Sequence, residues 1–311
     1  MSPLISILIP AYQAEKTIRR CLSSLLNQTN NDFEVIIIND GSSDQTLSIC
    51  QEYQEDSRFK IYTQANKGIA ATRQRLLSLA TGRYIQFVDA DDWVDLNMVE
   101  VYCSILKQCD YDIIISDYIY HKSQIVKYKQ QKPSSLTAQS LIRDISSARL
   151  LGVLWNKLIK RDLISNIQVP NLRYCEDWCI CASLFQKAKN ITYTNTAFYH
   201  YDNTYTANSL TRNISKQTFR SREEYIEYLR AIGFDKQYPR AFDSQVANIA
   251  YTALVHNIYT DREFRDIIKN VTLLFTYNTL YKRIMLILTK IFPLSFVRSI
   301  DLSIRKIIHK G

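Results

Sequence analysis

The stretch YIQFVDADD, Tyr84 to Asp92, runs from a mostly apolar, strand-forming segment directly into three carboxylates. A short run of this kind predicts a buried strand. Asp89, Asp91 and Asp92 at its end would repel one another unless a cation sat among them. Mg2+ and Mn2+ take oxygen ligands and are usually shared between carboxylates and substrate phosphates. The competing reading is a solvated acidic turn, or one that caps the next helix.

Strands and helices alternate on both sides of this stretch. ISILIP (Ile5–Pro10), FEVIIIN (Phe33–Asn39), FKIYT (Phe59–Thr63) and DIIIS (Asp112–Ser116) read as further strands. Between the first two, Ile18, Cys21, Leu22, Leu25 and Leu26 form the apolar stripe of a helix over Thr17–Asn27. Helices are expected from Ser43 or Asp44 to about Tyr53, over Ile69–Ala80 and over Leu96–Cys109. Such alternation implies a mostly parallel sheet with helices on both faces. Ligands then bind beyond the carboxyl ends of the strands. The residues there are Ala11-Tyr12-Gln13, Asp40-Gly41-Ser42, Gln64-Ala65-Asn66 and Asp89-Ala90-Asp91-Asp92, polar, acidic and small. Residues 122–150 read as a polar surface excursion and a helix. A helix near Asp177–Ala188 and a strand near Ile191–His200 follow, and the pattern after Ser215 is helical.

Composition narrows the function. In a chain of 311 residues, 46% hydrophobic and 22% charged residues are ordinary globular usage. The net charge of +9 is concentrated: from Lys282 onward seven Lys or Arg face the single acid Asp301, leaving +3 for everything before. A nucleic-acid-binding protein would spread its positive charge over a reading surface, so none is expected as partner. Basic residues mixed with apolar ones suit an anionic membrane surface instead. Ile284, Ile287, Leu288 and Ile291 share one helical face, as do Ile300, Ile304, Ile307 and Ile308 after Pro293. The stretch Ile284–Val297 is interrupted and too short to span a bilayer, which needs about 20 apolar residues. The alternative is that these helices pack on the rest of the protein. Seven cysteines without framework spacing suggest reduced thiols, and MSPLISILIPAY lacks the basic leader of a signal peptide, so a cytoplasmic protein is expected. Cys175, Cys179 and Cys181 lack a second ligand pair for zinc.

SILIPAY, EVIIINDGSSDQT, NKGIAATRQ and ATGRYIQFVDADD occur in the order and spacing of glycosyltransferase family 2, over roughly residues 4–95. WNKLIKRDLI at 155–164 and CEDW at 175–178 extend the likeness to about Tyr201. The chain therefore resembles that family, and within it the enzymes that build bacterial surface polysaccharides. The resemblance implies an α/β GT-A fold, a Rossmann-like nucleotide-diphospho-sugar transferase with a mixed, mostly parallel sheet, helices on both faces and a helical C-terminal extension. The catalytic domain would be 1–212, with 1–120 the nucleotide-sugar half and 121–212 the acceptor side; 213–311 would be helical with the basic amphipathic tail.

The implied activity is inverting transfer of a sugar from a nucleotide diphosphate, UDP by family frequency, to an acceptor hydroxyl, with Mn2+ or Mg2+ as cofactor. The acceptor would be a carbohydrate or a lipid-linked oligosaccharide in cell-surface polysaccharide or glycolipid assembly. The enzyme would then sit peripherally at the inner face of the cell membrane through 278–311. By resemblance, Pro10, Ala11 and Tyr12 pack the nucleobase and Asp40 hydrogen-bonds it. Asn66, Gly68 and Arg73 match the family's loop and following helix, with Gly68 allowing a backbone turn and Arg73 either reaching the diphosphate or bracing the acidic loop. Asp89 serves the ribose and a metal-bound water, Ala90 beside it belongs to the donor-binding loop, and Asp91, with Asp89, serves the metal. Asp177 is the implied base, with Glu176 as the alternative. Gln13, where the family often has Asn, is given no role.

Several residues keep two readings. Asp44 and Asp92 can be helix-start residues, and Trp178 a sugar-stacking or a core side chain. Lys157 can face an anion or water, and His200 can complete a metal shell or simply pack. Asn208-Ser209-Leu210-Thr211 resembles a loop that folds over the phosphates. Two other functions compete. A sugar nucleotidyltransferase would carry a glycine-rich loop where this chain has PAYQAEK, and a non-catalytic relative would lack one of Asp89, Asp91 and Asp177.

Overall fold

Apolar side chains on both faces of a strand require cover on both sides, and β1 (Ile5–Ala11), β2 (Phe33–Asp40) and β4 (Tyr84–Phe87) are strands of that kind, whereas β3 (Phe59–Gln64), at the edge of the sheet, is half-buried. The computed structural model describes residues 2–204, 214–273 and 276–308. The loop Asn208–Thr211 lies outside them. β1 is the centre of the parallel part, with Ile5 opposite both Phe33 of β2 and Tyr84 of β4, and β3 pairs in parallel with β2. All four carboxyl ends thus open on one edge. The crossovers carry α1 (Ile18–Leu26), α2 (Thr46–Gln51) and α3 (Ile69–Leu79). α1 buries Ile18, Cys21, Leu22 and Leu25 of the stripe its spacing foretold, while Leu26, the fifth member, is exposed at the helix end.

The sheet continues through strands of both directions. After the short β5 (Trp93–Val94) come α4 (Met98–Leu106), β6 (Ile113–Lys122), β7 (Ile125–Lys129), α5 (Ala138–Ser146), β8 (Lys157–Lys160), α6 (Arg161–Ser165), α7 (Glu176–Lys187) and β9 (Ile191–Asp202). The strand order is β3-β2-β1-β4-β8-β6-β9-β5, with β7 on β6. β8 is antiparallel to both β4 and β6, and β6 is parallel to β9. Two expectations are corrected here. β6 does not stop at Ser116 but runs to Lys122. The supposed excursion after it begins with a hairpin turned at Ser123, whose φ is 52°. β7 is exposed along nearly its whole length, so it lacks the alternation that marks a half-buried strand.

Contacts divide the chain into residues 1–141 with 150–208, and 142–149 with 209–311. In the second unit, α10 (Pro239–His256) is the central element, packed by α8 (Lys216–Ala231), α9 (Phe234–Gln237), α11 (Asp261–Ile268), α12 (Leu280–Leu288) and α13 (Leu294–Ile308). α12 buries Met285 and Leu286; α13 buries Leu294, Val297 and Asp301. Asp301 accepts hydrogen bonds of 2.7 Å from the hydroxyls of Tyr251 and Tyr281 and pairs with Arg305. Along the same tail Leu280, Ile284, Ile291, Phe292 and Phe296 are exposed. No helix among the described residues is long and apolar enough to cross a membrane.

Candidate active site

The loops leaving β1, β2 and β3 are tied into one rim. Gln13 takes a φ of 50°, donates its N–H to Ser42 Oγ at 3.0 Å, and accepts from the amides of Ser43 and Asp44 on its Oε1. Asp40 accepts the amides of Lys67 and Gly68, both at 2.9 Å, and Gln64 Nε2 at 2.8 Å. Gly41, at φ 74°, passes so close that a Cβ would lie 2.7 Å from Asn66 N, which requires glycine there. Gly68, at φ 82°, opens α3. Asp44 accepts from Thr46 and Glu15, the helix-start role. Pro10 and Ala11 close β1, and Tyr12 stands 54% exposed.

At the end of β4 the carboxylates have different tasks. Asp92 is fully buried, accepts from Tyr199 Oη and the Asp202 amide at 2.7 Å each, and burial holds its pKa well above the carboxylate range. It braces β9 and is neither ligand nor helix cap. Tyr199 Oη also accepts the Asp89 amide at 3.1 Å, so one hydroxyl fixes both ends of the Asp89-Ala90-Asp91-Asp92 turn. Arg20 donates to the Asp91 carbonyl at 2.8 Å, pairs with Asp202 at 2.6 Å and lies 3.8 Å over the Trp93 ring. Desolvation in this recess, then the charge of Asp89, push Asp91 up to about 6. Desolvation also raises Asp89, against the attraction of Arg73. A divalent cation would relieve this mutual repulsion. Among the described residues no three His, Cys, Asp or Glu side chains converge into a protein-only metal site. Asp91 and Asp89 therefore fit an ion shared with ligand oxygens.

His200 is not free for such an ion. Its Nδ1 is 2.9 Å from His121 Nε2 and its Nε2 2.9 Å from Asp95, with Trp93 stacked on the ring.

The third part of the site joins helices far apart in sequence. Arg73, buried on α3, pairs through Nη1 with Glu176 and lies 3.9 Å from Asp89 through Nη2. Its Nε has no hydrogen-bond partner among the described residues. Glu176 and Asp177 open α7 behind Cys175, which adopts a left-handed conformation. The ion pair occupies Glu176. Among the described residues no arginine forms an ion pair with Asp177; desolvation, then the Glu176 charge, raise it to about 7 against the attraction of Arg73. Trp178 is core: a Cβ on Gly152 would meet its Cδ1 at 2.4 Å.

Lys157 faces neither an anion nor water. It is wholly buried, and its Nζ donates to the carbonyls of Leu151 and Val153 and to Asn156 Oδ1, at 2.7–3.0 Å. Burial lowers its pKa. Lys157→Met, which strands these acceptors, should lower unfolding free energy by about 2–3 kcal/mol, read as a reduced urea midpoint at unchanged slope.

Residues that the sequence did not single out complete the site. Tyr199 and Arg20 act on the acidic turn through contacts more than 70 residues away in the chain, and no local pattern marks them. Gln13 had a local signal, since it stands where the family often has Asn and a left-handed backbone favours such side chains.

Residues 6–172 match the family model described as glycosyl transferase family 2, more than half of the chain. The chain belongs to glycosyl transferase family 2. The putative glycosyltransferase EpsH of Bacillus subtilis is 32% identical over 217 residues, 64% of this chain and 61% of that protein. This chain thus spans about three-fifths of the length of such relatives. Chondroitin synthase of Escherichia coli is 46% identical over 100 residues, 32% of this chain and 15% of the synthase. Among solved structures, S. aureus TarS 1-349 aligns over 97% of this chain and 91% of its own, at 19% identity and a TM-score of 0.70. The fold of this family 2 member is therefore the GT-A fold expected, with its helical C-terminal region.

Proposed function

We propose that the protein is a metal-dependent inverting glycosyltransferase that moves a sugar from a UDP-sugar to an acceptor hydroxyl in cell-surface polysaccharide or glycolipid assembly. One observation carries the reading: the Arg73–Glu176 pair leaves Asp177 as the carboxylate raised to about 7 in a cluster that also contains Asp89. A base for this transfer needs a pKa near the working pH. The family match supports sugar transfer. TarS has been crystallised with UDP-GlcNAc, and a Pyrobaculum calidifontis mannosyltransferase with GDP-Man and Mn2+, which supports a nucleotide sugar and a divalent ion.

In this reading Pro10, Ala11 and Tyr12 face the base. Asp40 holds Lys67 and Gly68 beside it, with lone pairs left for the base itself. Asn66 and Gly68 line the path to the diphosphate. Asp91 and Asp89, with Ala90 between them, would hold Mn2+ or Mg2+, which when bound neutralises charge on the departing diphosphate. Arg73 keeps Glu176 and Asp89 in place. Asp177 takes the acceptor proton as the hydroxyl oxygen bonds to the anomeric carbon and the bond to the diphosphate breaks. A panel of nucleotide sugars assayed for Mn2+-dependent release of nucleotide tests this directly. A UDP-sugar should be turned over, and silence across the panel, with no UDP binding, would overturn the proposal.

The same proposal places the protein at the cytoplasmic membrane face. Leu280 and Ile284 of α12, Lys290, Ile291 and Phe292 between the helices, and Phe296 of α13 are exposed, a composition suited to anionic headgroups and the acyl boundary. Of the two faces expected from the sequence, Ile284 and Ile291 are exposed, Ile287, Leu288, Ile300 and Ile304 are half-buried, and the side chains of Ile307 and Ile308 lie outside the described set. Deleting 278–311 would strip helices that cover α10, so point changes are the cleaner test. Ile291→Glu with Phe296→Glu should weaken binding to vesicles containing anionic lipid by about tenfold or more. A wild-type chain that ignores such vesicles at low salt would end the membrane reading.

A further inference from the structure

Beside the catalytic cluster lies a cleft of about 720 Å³ whose residues have no part in the steps above, except through the Lys67 amide. One wall is the flank of α3: Lys67, Ala71 and Gln74 are exposed there, while Thr72 and Arg73 turn inward. The facing wall is the 165–171 segment. Ile167, Val169 and Pro170 are buried, whereas Asn166, Gln168 and Asn171 are exposed. This alternation anchors the segment by its apolar side and presents amides to the cleft. Among the described residues the side chains of Gln74, Gln168, Asn171 and Lys67 have no hydrogen-bond partner, and no carboxylate lines the cleft.

The chemistry selects the occupant. Carboxamides both donate and accept, as pairs of sugar hydroxyls do. A single ammonium without a counter-charge favours one anionic substituent but is too little for a nucleic-acid backbone. The size falls in the range of small-ligand sites. Position links the cleft to the reaction. At one end, Gly68 is held by Asp40; along one wall, Gln74 adjoins Arg73, whose guanidinium holds Glu176; from the other wall the chain runs from Asn171 into Glu176 and Asp177.

We propose that this cleft is an acceptor subsite, holding the sugar units behind the attacking one in a hydroxyl-rich glycan that bears an anionic group near Lys67. The proposal rests on the transferase reading above and adds the class of acceptor. It also gives α3 two functional sides, one toward the ion-pair cluster and one toward the glycan.

The test uses the full chain, labelled with nitrogen-15, and the side-chain amide signals of Gln74, Gln168 and Asn171. The probes are UDP, a hyaluronan tetrasaccharide carrying carboxylates, and neutral chitotetraose. With UDP bound, the hyaluronan fragment should shift these signals. Gln168→Ala with Asn171→Ala should weaken its binding about tenfold, the loss of two hydrogen bonds. Lys67→Met should reduce the preference for hyaluronan over chitotetraose by about threefold to fivefold. If UDP binds but neither tetrasaccharide moves these signals at millimolar concentration, the subsite is overturned. The same follows if UDP alone moves them, which would assign the cleft to the donor. Failure of the wild type to bind UDP at all would instead sink the transferase reading on which the subsite stands.

Discussion

Asp177→Asn should lower turnover by about 10²–10⁴-fold while leaving the affinity for UDP-sugar close to wild type. The substitution keeps the shape of the side chain and removes its capacity to take a proton. It leaves the Arg73–Glu176 pair in place, so the cluster should persist. The pH profile gives a second readout. Asp177 is raised to about 7, and a base works only when ionised. The kcat/KM of the wild type should therefore climb with pH, tenfold per unit below about 7, and level off above it. Glu176→Gln removes the charge that, after desolvation, does most to raise Asp177, and frees Arg73 to attract it. The midpoint should then move to lower pH. Near-normal turnover in Asp177→Asn at saturating substrate would transfer the role to Glu176 or to another group.

Asp91→Ala should abolish transfer, to below about a thousandth of wild type, with the fold intact. The fold is expected to survive because Arg20 grips the Asp91 carbonyl rather than its carboxylate, and it is the carboxylate of Asp92, not that of Asp91, that holds Tyr199 and the Asp202 amide of β9. The informative measurement is UDP affinity with and without Mn2+. Wild type should bind more tightly as the ion is added, and the variant should not respond. Because Asp91 sits at about 6 without a cation, ion binding should release protons at pH 6 and nearly none at pH 8. A variant that keeps its Mn2+ response would remove Asp91 from the metal.

How far the sequence could be read depended on where each side chain lay. β1, β2 and β4 are buried almost throughout, so mostly apolar runs announced them. The helix from Ile18 showed its stripe because only one face is covered. β7 sits at an exposed edge and β8 has four residues, two of them lysines, so neither carries a period that could be recognised. The site followed the same logic. Asp89, Asp91 and Asp177 stand in local motifs at element ends, but which acid is occupied and which is available depends on Arg73 meeting Glu176 across 103 positions. In the linear text Asp92 read as a neighbour of the cation or a helix-start residue, and Lys157 as facing an anion or water. Only their enclosure, and the groups they bind, made them structural.

The chain also carries its own attachment point for a probe. Cys21, Cys50, Cys103, Cys179 and Cys181 are buried, with thiols raised by desolvation, and Cys175 is half-covered; among the described residues Cys109 alone is exposed. It follows α4 and precedes the amino end of β6, which runs parallel to β9 and antiparallel to β8, as β4 does. Cys109 therefore lies at the edge of the sheet opposite the acidic turn. A maleimide dye should couple there first and report on the tumbling or surface attachment of the whole molecule, since it stands clear of every residue assigned to sugar transfer.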